Sequence, residues 1–459
     1  MFLLMVIVFV LGYAAIALEH NIHIDKAATA LFTGVTIWVL YILDASNIIE
    51  NLPVTHAWHE FLSIHPHGEA VEFISHHELL HHLSEISEII FFLMGAMTIV
   101  EVVDHHQGFT LITNQIKTTN KRKLMWIIGL LTFFMSATLD NLTTTIVMVT
   151  LLRKLIADKK DRWIFVGMVV VAANSGGAWS PIGDVTTIML WVKGQITAAY
   201  IIKDVLAPSL ASIVVPLAIL NFFLKGDIQR PDISESSDMD HTITDTEKKV
   251  FFFAGVGALI SVPIFKMLTH LPPFMGMLLG LGILWVINEI MHRKKPQQVR
   301  RQLSVNYIIS RIDMPTILFF IGILLAVGGL QSAGHLALLS QWLDDVTNGN
   351  IYIINISIGV LSSIVDNVPL VAAAMGMYPI ANSAADIAAH SPFIVDGTFW
   401  QFLAYCAGTG GSLLIIGSAA GVAAMGLEKI DFGWYLKRIS IFALIGYLSG
   451  ALTYFLMFN

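Results

Sequence analysis

The chain has 459 residues, of which 56% are hydrophobic and only 13% charged, and its net charge is −7. Soluble domains carry about a quarter charged residues, so a chain this apolar cannot cover itself in water and takes the lipid bilayer as its solvent. The acidic balance excludes nucleic acid as a partner, and the single cysteine, Cys406, excludes an intrachain disulfide and argues against a thiolate metal site.

The opening stretch "MFLLMVIVFVLGYAAIAL" lacks the basic leading segment of a secretory signal and reads as a retained first span. Further runs near the length that crosses a core of about 30 Å fall at 27–43, 86–104, 163–192, 205–224, 250–267, 274–291, 314–331, 400–427 and 439–458. Between the second and third lies 56–82, with eight histidines. His76, His77, His81 and His82 share one face of a helix, a candidate external Zn²⁺ or Ni²⁺ site. The same residues also read as a solvated loop or as a pH sensor. Glu85 and Glu88, at the mouth of the next span, offer a proton entry or simply favour a helix N-terminus through its dipole.

Two other apolar regions, 124–152 and 350–382, are each cut by an Asp-Asn pair, in "SATLDNLTTTIVM" and "SSIVDNVPLVAAAMG". Their arms read as mostly too short to cross, so each region is expected to be a re-entrant hairpin, tolerable only where it is buried in protein or lines a wet cavity. Lys and Arg cluster at 117–123, 153–162, 225–249, 293–311 and 429–438, and none lies in 27–116 or 312–428. The positive-inside rule makes the clusters cytoplasmic, and threading the spans through them sends the two hairpins in from opposite sides.

The halves also match in order. "IIFFLMGAMTIVEVVD" answers "ILFFIGILLAVGGLQS", Asp140-Asn141 answers Asp366-Asn367, and "ANSGGAWSPIGDVTT" answers "AGTGGSLLIIGSAAG". The expected fold is an all-α polytopic membrane protein with two inverted-topology repeats, each with a hairpin and a broken helix, an arrangement that points to a secondary transporter's substrate site. The expected organisation is 1–74 as N-terminal spans and His-rich external loop, 75–224 as the first repeat and 225–249 as a cytoplasmic linker. Residues 250–311 follow as inter-repeat spans and 312–459 as the second repeat. In each broken helix the Gly pair, Gly176-Gly177 or Gly410-Gly411, is expected to let the helix unwind.

Intramembrane carboxylates cost roughly 2.5 kcal/mol or more at a helix centre and default to a functional reading. Asp140 and Asp366 also fit a plainer role as turn caps, although a neutral Asn would cap as well without the desolvation. No Lys or Arg lies at their depth in the sequence, so the counter-charge is expected to be a mobile cation or a proton. Asp184 adds a third carboxylate, and its counterpart in the second half is Ser418, so the halves are not chemically equivalent. Carboxylate, amide, hydroxyl and carbonyl oxygens suit a hard cation such as Na⁺ or Li⁺, and a desolvated carboxylate can hold a proton in its place. The candidate ion ligands are Asp140, Asn141, Thr143, Thr144, Asn174, Ser175, Asp184, Thr186, Asp366, Asn367, Thr409 and Ser412, with Asp140 expected to be the less replaceable of the hairpin aspartates.

In "SEISEIIFFLMGAMTIVEVVDHHQGF", "SATLDNLTTTIVM" and "ANSGGAWSPIGDVTTIMLW", and over most of 75–458, the chain resembles the NhaD-type sodium/proton antiporters of bacteria. These sit in the ion-transporter superfamily that also holds dicarboxylate/sodium symporters. The resemblance implies Na⁺(Li⁺)/H⁺ exchange, mostly at alkaline pH, a homodimer, a bacterial inner membrane and no cofactor. It also implies a polar motif matched by Asp140, Asn141, Asp184, Asp366 and Asn367. The dicarboxylate relatives typically carry Ser-Asn-Thr at the hairpin tips, where this chain has Asp-Asn, which would repel an anion. A sodium-coupled dicarboxylate or other anion transporter of the same fold is the alternative. A membrane enzyme with a His-bound metal is disfavoured, because the histidine cluster lies outside the repeat symmetry and lacks an HExxH pattern.

Overall fold

The computed structural model describes residues 1–17, 19–51, 58, 61–63, 68–113, 116–231, 243–364, 366–389 and 391–459. Among these the chain is helical, with one isolated β-bridge between Asn120 and Asp227. Eight helices are long and apolar enough to cross a membrane, and the protein is a multi-pass membrane protein. The expected spans correspond to Phe2–Ala17, Lys26–Leu43, Leu79–His105, Ala198–Phe223, Asp245–Thr269, Pro273–His292, Met314–Ser332 and Ser440–Phe458. The two interrupted spans correspond to Lys159–Ala178 with Val185–Val192 and to Thr398–Gly410 with Ala419–Glu428. The centre of the expected linker, 232–242, lies outside the described residues, as do four of the loop histidines, His56, His59, His65 and His67.

The chain divides into two compact units. The first comprises 1–90, 313–354 and 368–389. Its centre is the pair Lys26–Leu43 and Met314–Ser332. Asp25 caps the first of these, accepting from the Ala27 amide at 2.7 Å. The two helices touch backbone to backbone: a Cβ on Gly34 would collide with the Gly322 carbonyl, and one on Gly322 with Ala30. Such small-residue contacts suit a solvent in which apolar surface alone gives little drive to associate. Trp38 Nε1 donates to the Leu325 carbonyl at 2.9 Å and the Tyr41 hydroxyl to that of Ser332 at 3.2 Å. A helix the hydropathy pattern does not predict, His335–Thr347, follows; with Gln341, Asp344 and Asp345 it is too polar to read as a span.

The second unit comprises 91–312, 355–367 and 390–459 and holds both Asp-Asn pairs and both broken helices. Within it Ala198–Phe223 packs against Ser440–Phe458. Pro208 and Pro216 lie inside the first helix. Pro216 has no N–H to offer the Ser212 carbonyl, and Gly446 packs directly on that freed oxygen.

The first hairpin consists of Lys121–Leu139 and Asn141–Leu155, separated by Asp140 alone. Its first arm, at 19 residues, is long enough to cross, which corrects the expectation of short arms there. The arms of the second hairpin, Ile351–Leu361 and Asn367–Met377, have 11 residues each and stay below crossing length.

Candidate functional site

The two halves of the second unit carry the same skeleton. Ser136 Oγ donates to the Ala173 carbonyl at 2.6 Å, and at the matching positions Ser362 Oγ donates to Ala407 at 2.8 Å. A Cβ on Gly176 would strike the carbonyl of Phe133 in the first hairpin, and one on Gly410 would strike that of Gly359 in the second. A Cβ on Gly177 would sit 2.5 Å from the Gly183 oxygen, and one on Gly411 2.9 Å from that of Gly417. The two Gly pairs stand differently to the breaks they were expected to open, the first just before its break and the second at it. Gly176 and Gly177 lie within the last turn of Lys159–Ala178, and the helical break follows at 179–184. In the second half the helix ends at Gly410 and resumes at Ala419. Close approach, which only a missing side chain permits, outweighs the helix propensity cost of about 1 kcal/mol per Gly.

These contacts seat each hairpin tip against the break in its neighbouring helix. Asp140 ends one helix and caps the next from φ +71°, ψ +161°, a backbone region that is almost confined to glycine. Its Oδ1 accepts from the Thr143 amide at 2.7 Å and its Oδ2 from the Thr143 hydroxyl at 2.9 Å. Asp184 caps Val185–Val192, its Oδ1 accepting from the Thr186 amide (2.8 Å) and hydroxyl (2.7 Å), with Thr187 completing a capping box.

The other face of the Asp184 carboxylate meets both hairpins. Asn141 Nδ2 donates to Asp184 Oδ2 at 2.5 Å and to Asn174 Oδ1 at 3.1 Å. Asn367 Nδ2 reaches both Asp184 oxygens at 3.4 Å. Asn174 Nδ2 in turn donates to Ser418 Oγ at 2.9 Å, and Ser418 caps Ala419–Glu428 through the Gly421 amide. All five residues are buried. No ion pair involves Asp184 among the described residues, so its charge is met only by neutral donors.

Of the residues singled out in the sequence, Asn141, Asn174, Asp184, Thr186 and Asn367 come together here. Asp140 and Thr143 bond to each other, and Asp366 lies half-buried directly before Asn367. The Thr144 hydroxyl is buried without a hydrogen-bond partner. Ser175 Oγ lies 2.7 Å from Ser212 Oγ, whose own proton goes to the Ser209 carbonyl. Thr409 and Ser412 give their hydroxyl protons to the carbonyls of Tyr405 and Thr409, both at 2.6 Å. Ser418 was missing from the candidate ligands, although its match to Asp184 marks it. Glu428 was missed altogether: its buried carboxylate takes Arg153 Nε at 2.6 Å and Arg162 Nε at 2.8 Å, tying the first hairpin and the first broken helix to the second broken helix.

The histidine metal cluster is corrected. A π-helical turn at Ile74–Glu78 interrupts the 3.6-residue period that placed the four on one face. His77 stacks on Phe73, with centroids 5.3 Å apart. His82 is buried with Nε2 3.0 Å from Ser332 Oγ, while His81 is exposed beside Glu85. No group of three His, Cys, Asp or Glu among the described residues is placed to hold a metal ion. Glu85 lies 3.5 Å from both His81 and His82, and Glu88 is half-buried one turn further on.

A family model described as "Citrate transporter" (CitMHS) matches residues 7–395. Sodium/proton antiporter 1 of Arabidopsis thaliana is 45% identical over 458 residues, covering 99% of this chain and 72% of the relative. Sodium/proton antiporter 2 of the same plant is 42% identical over 455 residues and 99% of both chains. The Na⁺/H⁺ antiporter NhaD of Alkalimonas amylolytica is 29% identical over 470 residues, covering 96% of this chain and 88% of the relative. The chain belongs to the family of NhaD-type sodium/proton antiporters, within the transporters that the CitMHS model describes.

Proposed function

We propose that the chain is a secondary antiporter that exchanges Na⁺, and Li⁺ with it, for H⁺ at a buried region centred on Asp184. The observation that carries this reading is the Asp184 carboxylate, which takes amide N–H groups from both hairpins, Asn141 and Asn367, and no cationic side chain. A buried charge without a partner is costly, and the amide hydrogens stand where a cation would. A Na⁺ arriving at Asp184 turns the amides of Asn141, Asn174 and Asn367 about their last torsion, presenting oxygen instead of N–H. The shell is then carboxylate, amide and hydroxyl oxygen, which suits a hard cation. Protonation of the same carboxylate removes its claim on the cation, so one site holds either ion and links their movements. Asp140 and Asp366, at the hairpin tips beside the two asparagines, supply the flanking negative field.

In this reading the halves have opposite topology, with the Lys/Arg-rich segments cytoplasmic, and rocking of the hairpins exposes Asp184 to one side and then the other. The description of the matched family model favours a second reading, transport of a carboxylate anion. The helix N-termini that would hold such an anion are already capped: Asn141–Leu155 by Asp140 and Val185–Val192 by Asp184. At these two termini, though not at Ala419–Glu428 with its neutral Ser418 cap, an entering anion would have to displace the chain's own carboxylates. In everted vesicles, dequenching of a pH dye on adding Na⁺ or Li⁺, unaffected by citrate or succinate, is the expected result. Uptake of radiolabelled citrate without cation-driven proton movement would establish the second reading instead.

A further inference from the structure

The transport reading makes no use of a buried imidazole pair in the second unit. His106, in the turn after Leu79–His105, and His292, at the end of Pro273–His292, are 0% and 1% exposed. Their rings stack 9° from parallel, and Phe251 covers His106 at 3.6 Å between centroids. The bonds between them fix which nitrogens carry hydrogen. His106 Nδ1 lies 2.7 Å from the Val102 carbonyl, which only accepts, so Nδ1 holds the proton and Nε2 is bare. His106 Nε2 is 2.9 Å from His292 Nε2 and 3.3 Å from Asn288 Nδ2, so His292 Nε2–H and the amide both donate to it.

A neutral His292 is therefore left with a bare Nδ1. That atom is buried without a hydrogen-bond partner and faces Glu247 Oε1 at 3.4 Å, lone pair against carboxylate. Glu247 cannot turn away. Its carboxylate is held by Lys295 Nζ at 2.8 and 2.9 Å and by the Thr244 amide at 2.7 Å, where it completes the capping box that starts Asp245–Thr269. One added proton on His292 Nδ1 converts that approach into a charge-assisted N–H···O bond. A second proton has no place, because on His106 Nε2 it would point at two N–H groups; burial, with His292 and His105 nearby, already pushes His106 down to about 3.

We propose that His292, Glu247 and His106 form a binding site for one proton, distinct from the transported-ion region, whose filling fastens together the ends of three helices. The charged and titratable groups facing it are His105 from the first helix, Glu247 from the second, Glu289 from the third and Lys295 from the turn beyond. His105 is committed to the Gln302 carbonyl and Glu289 to Arg300. Glu247 and Lys295 thus set the proton affinity in opposite senses. Glu247 begins the helix directly after 232–242, the stretch that joins the halves. Where the exchange reading above holds, filling the site imposes a pH dependence on exchange without touching an ion ligand.

The test is the titration of ¹⁵N-histidine signals in the full-length protein in lipid, read beside cation-driven exchange against pH. One imidazole should take a proton on Nδ1. Lys295→Met should raise its midpoint and Glu247→Gln, which keeps the capping acceptor, should lower it, each by about one pH unit, a tenfold change in affinity. His292→Gln should remove that signal, and the exchange profile should move in the same senses as the midpoints. Midpoints that both move the same way, or that stay fixed in Lys295→Met and Glu247→Gln, overturn the site even if His292→Gln fails to fold. A wild type that titrates as described but exchanges no cation refutes the proposed function and leaves the proton site standing.

Discussion

The two broken helices, compared position by position, share a frame and differ in what they carry. Ser136 and Ser362 clip the hairpins to their neighbours in the same way, and Gly176 and Gly410 accept a hairpin carbonyl at the same place. Where the first half has Asn174 and Asp184, the second has Gly408 and Ser418. What the two share is contact between backbones, which no side chain can replace. What differs is the capping group at the break, a carboxylate only in the first half, where Asp184 accepts from the asparagines of both hairpins.

The sharpest way to break that comparison is at the acid. Asp184→Asn keeps a capping acceptor but removes the charge, and exchange should fall by about 100-fold or more, as for a lost partner in a buried charged site. Dye dequenching in vesicles with normal amounts of inserted protein measures it, and near-normal exchange would move the site elsewhere. Next come the shared contacts. Gly176→Ala and Gly410→Ala should each lower stability by about 3 kcal/mol or more, because the new methyl meets backbone carbonyl that cannot yield. Gly408→Ala, whose Cβ would lie 3.2 Å from that of Ala178, should cost about 1 kcal/mol. Thermal unfolding in detergent distinguishes them, and tolerance of Ala at one of the paired glycines but not the other would end the claim of a common frame.

Asp140→Asn should lower exchange about tenfold, less than Asp184→Asn, with stability held to within about 1 kcal/mol because Asn still accepts from the Thr143 amide. Unchanged exchange would reduce Asp140 to a turn cap. Ser418→Ala leaves the buried Asn174 amide without its acceptor, which costs about 1–3 kcal/mol, and should slow exchange only a few-fold. His76→Gln, His77→Gln and His81→Gln together should change the rate and its dependence on added Zn²⁺ least of all. A chelator-sensitive loss in the parent protein would restore the metal reading of that segment.

Much of this was written in the sequence because a membrane chain states its spans as apolar runs and its interruptions as polar residues inside them. Asp140-Asn141, Asp366-Asn367 and Asp184 stand out for that reason. Asn174 and Ser175 are polar residues inside an apolar run in the same way. What stayed hidden depended on contacts that composition does not encode. The glycines read as points of unwinding because helix propensity is local, whereas the carbonyls that Gly176 and Gly410 pack on belong to other helices and cannot be read from it. His82 looked like a metal ligand until its ring was placed against Ser332, 250 residues away. Glu428, which nothing in its neighbourhood of the sequence singles out, is the partner of two arginines more than 260 residues earlier.

The sequence distances inside the polar knot also set an order of assembly. Asn141 and Asp184 are 43 residues apart and can pair while the chain is still being made. Asn367 reaches Asp184 across 183 residues, and Ser418 reaches Asn174 across 244. A nascent chain therefore inserts its acidic first half and carries it, half-satisfied, through synthesis of the whole stretch that separates the hairpins. A chain truncated before the second hairpin keeps the Asn141 partner of Asp184 and lacks the Asn367 one, and pulse-chase labelling should find it degraded faster than the full chain.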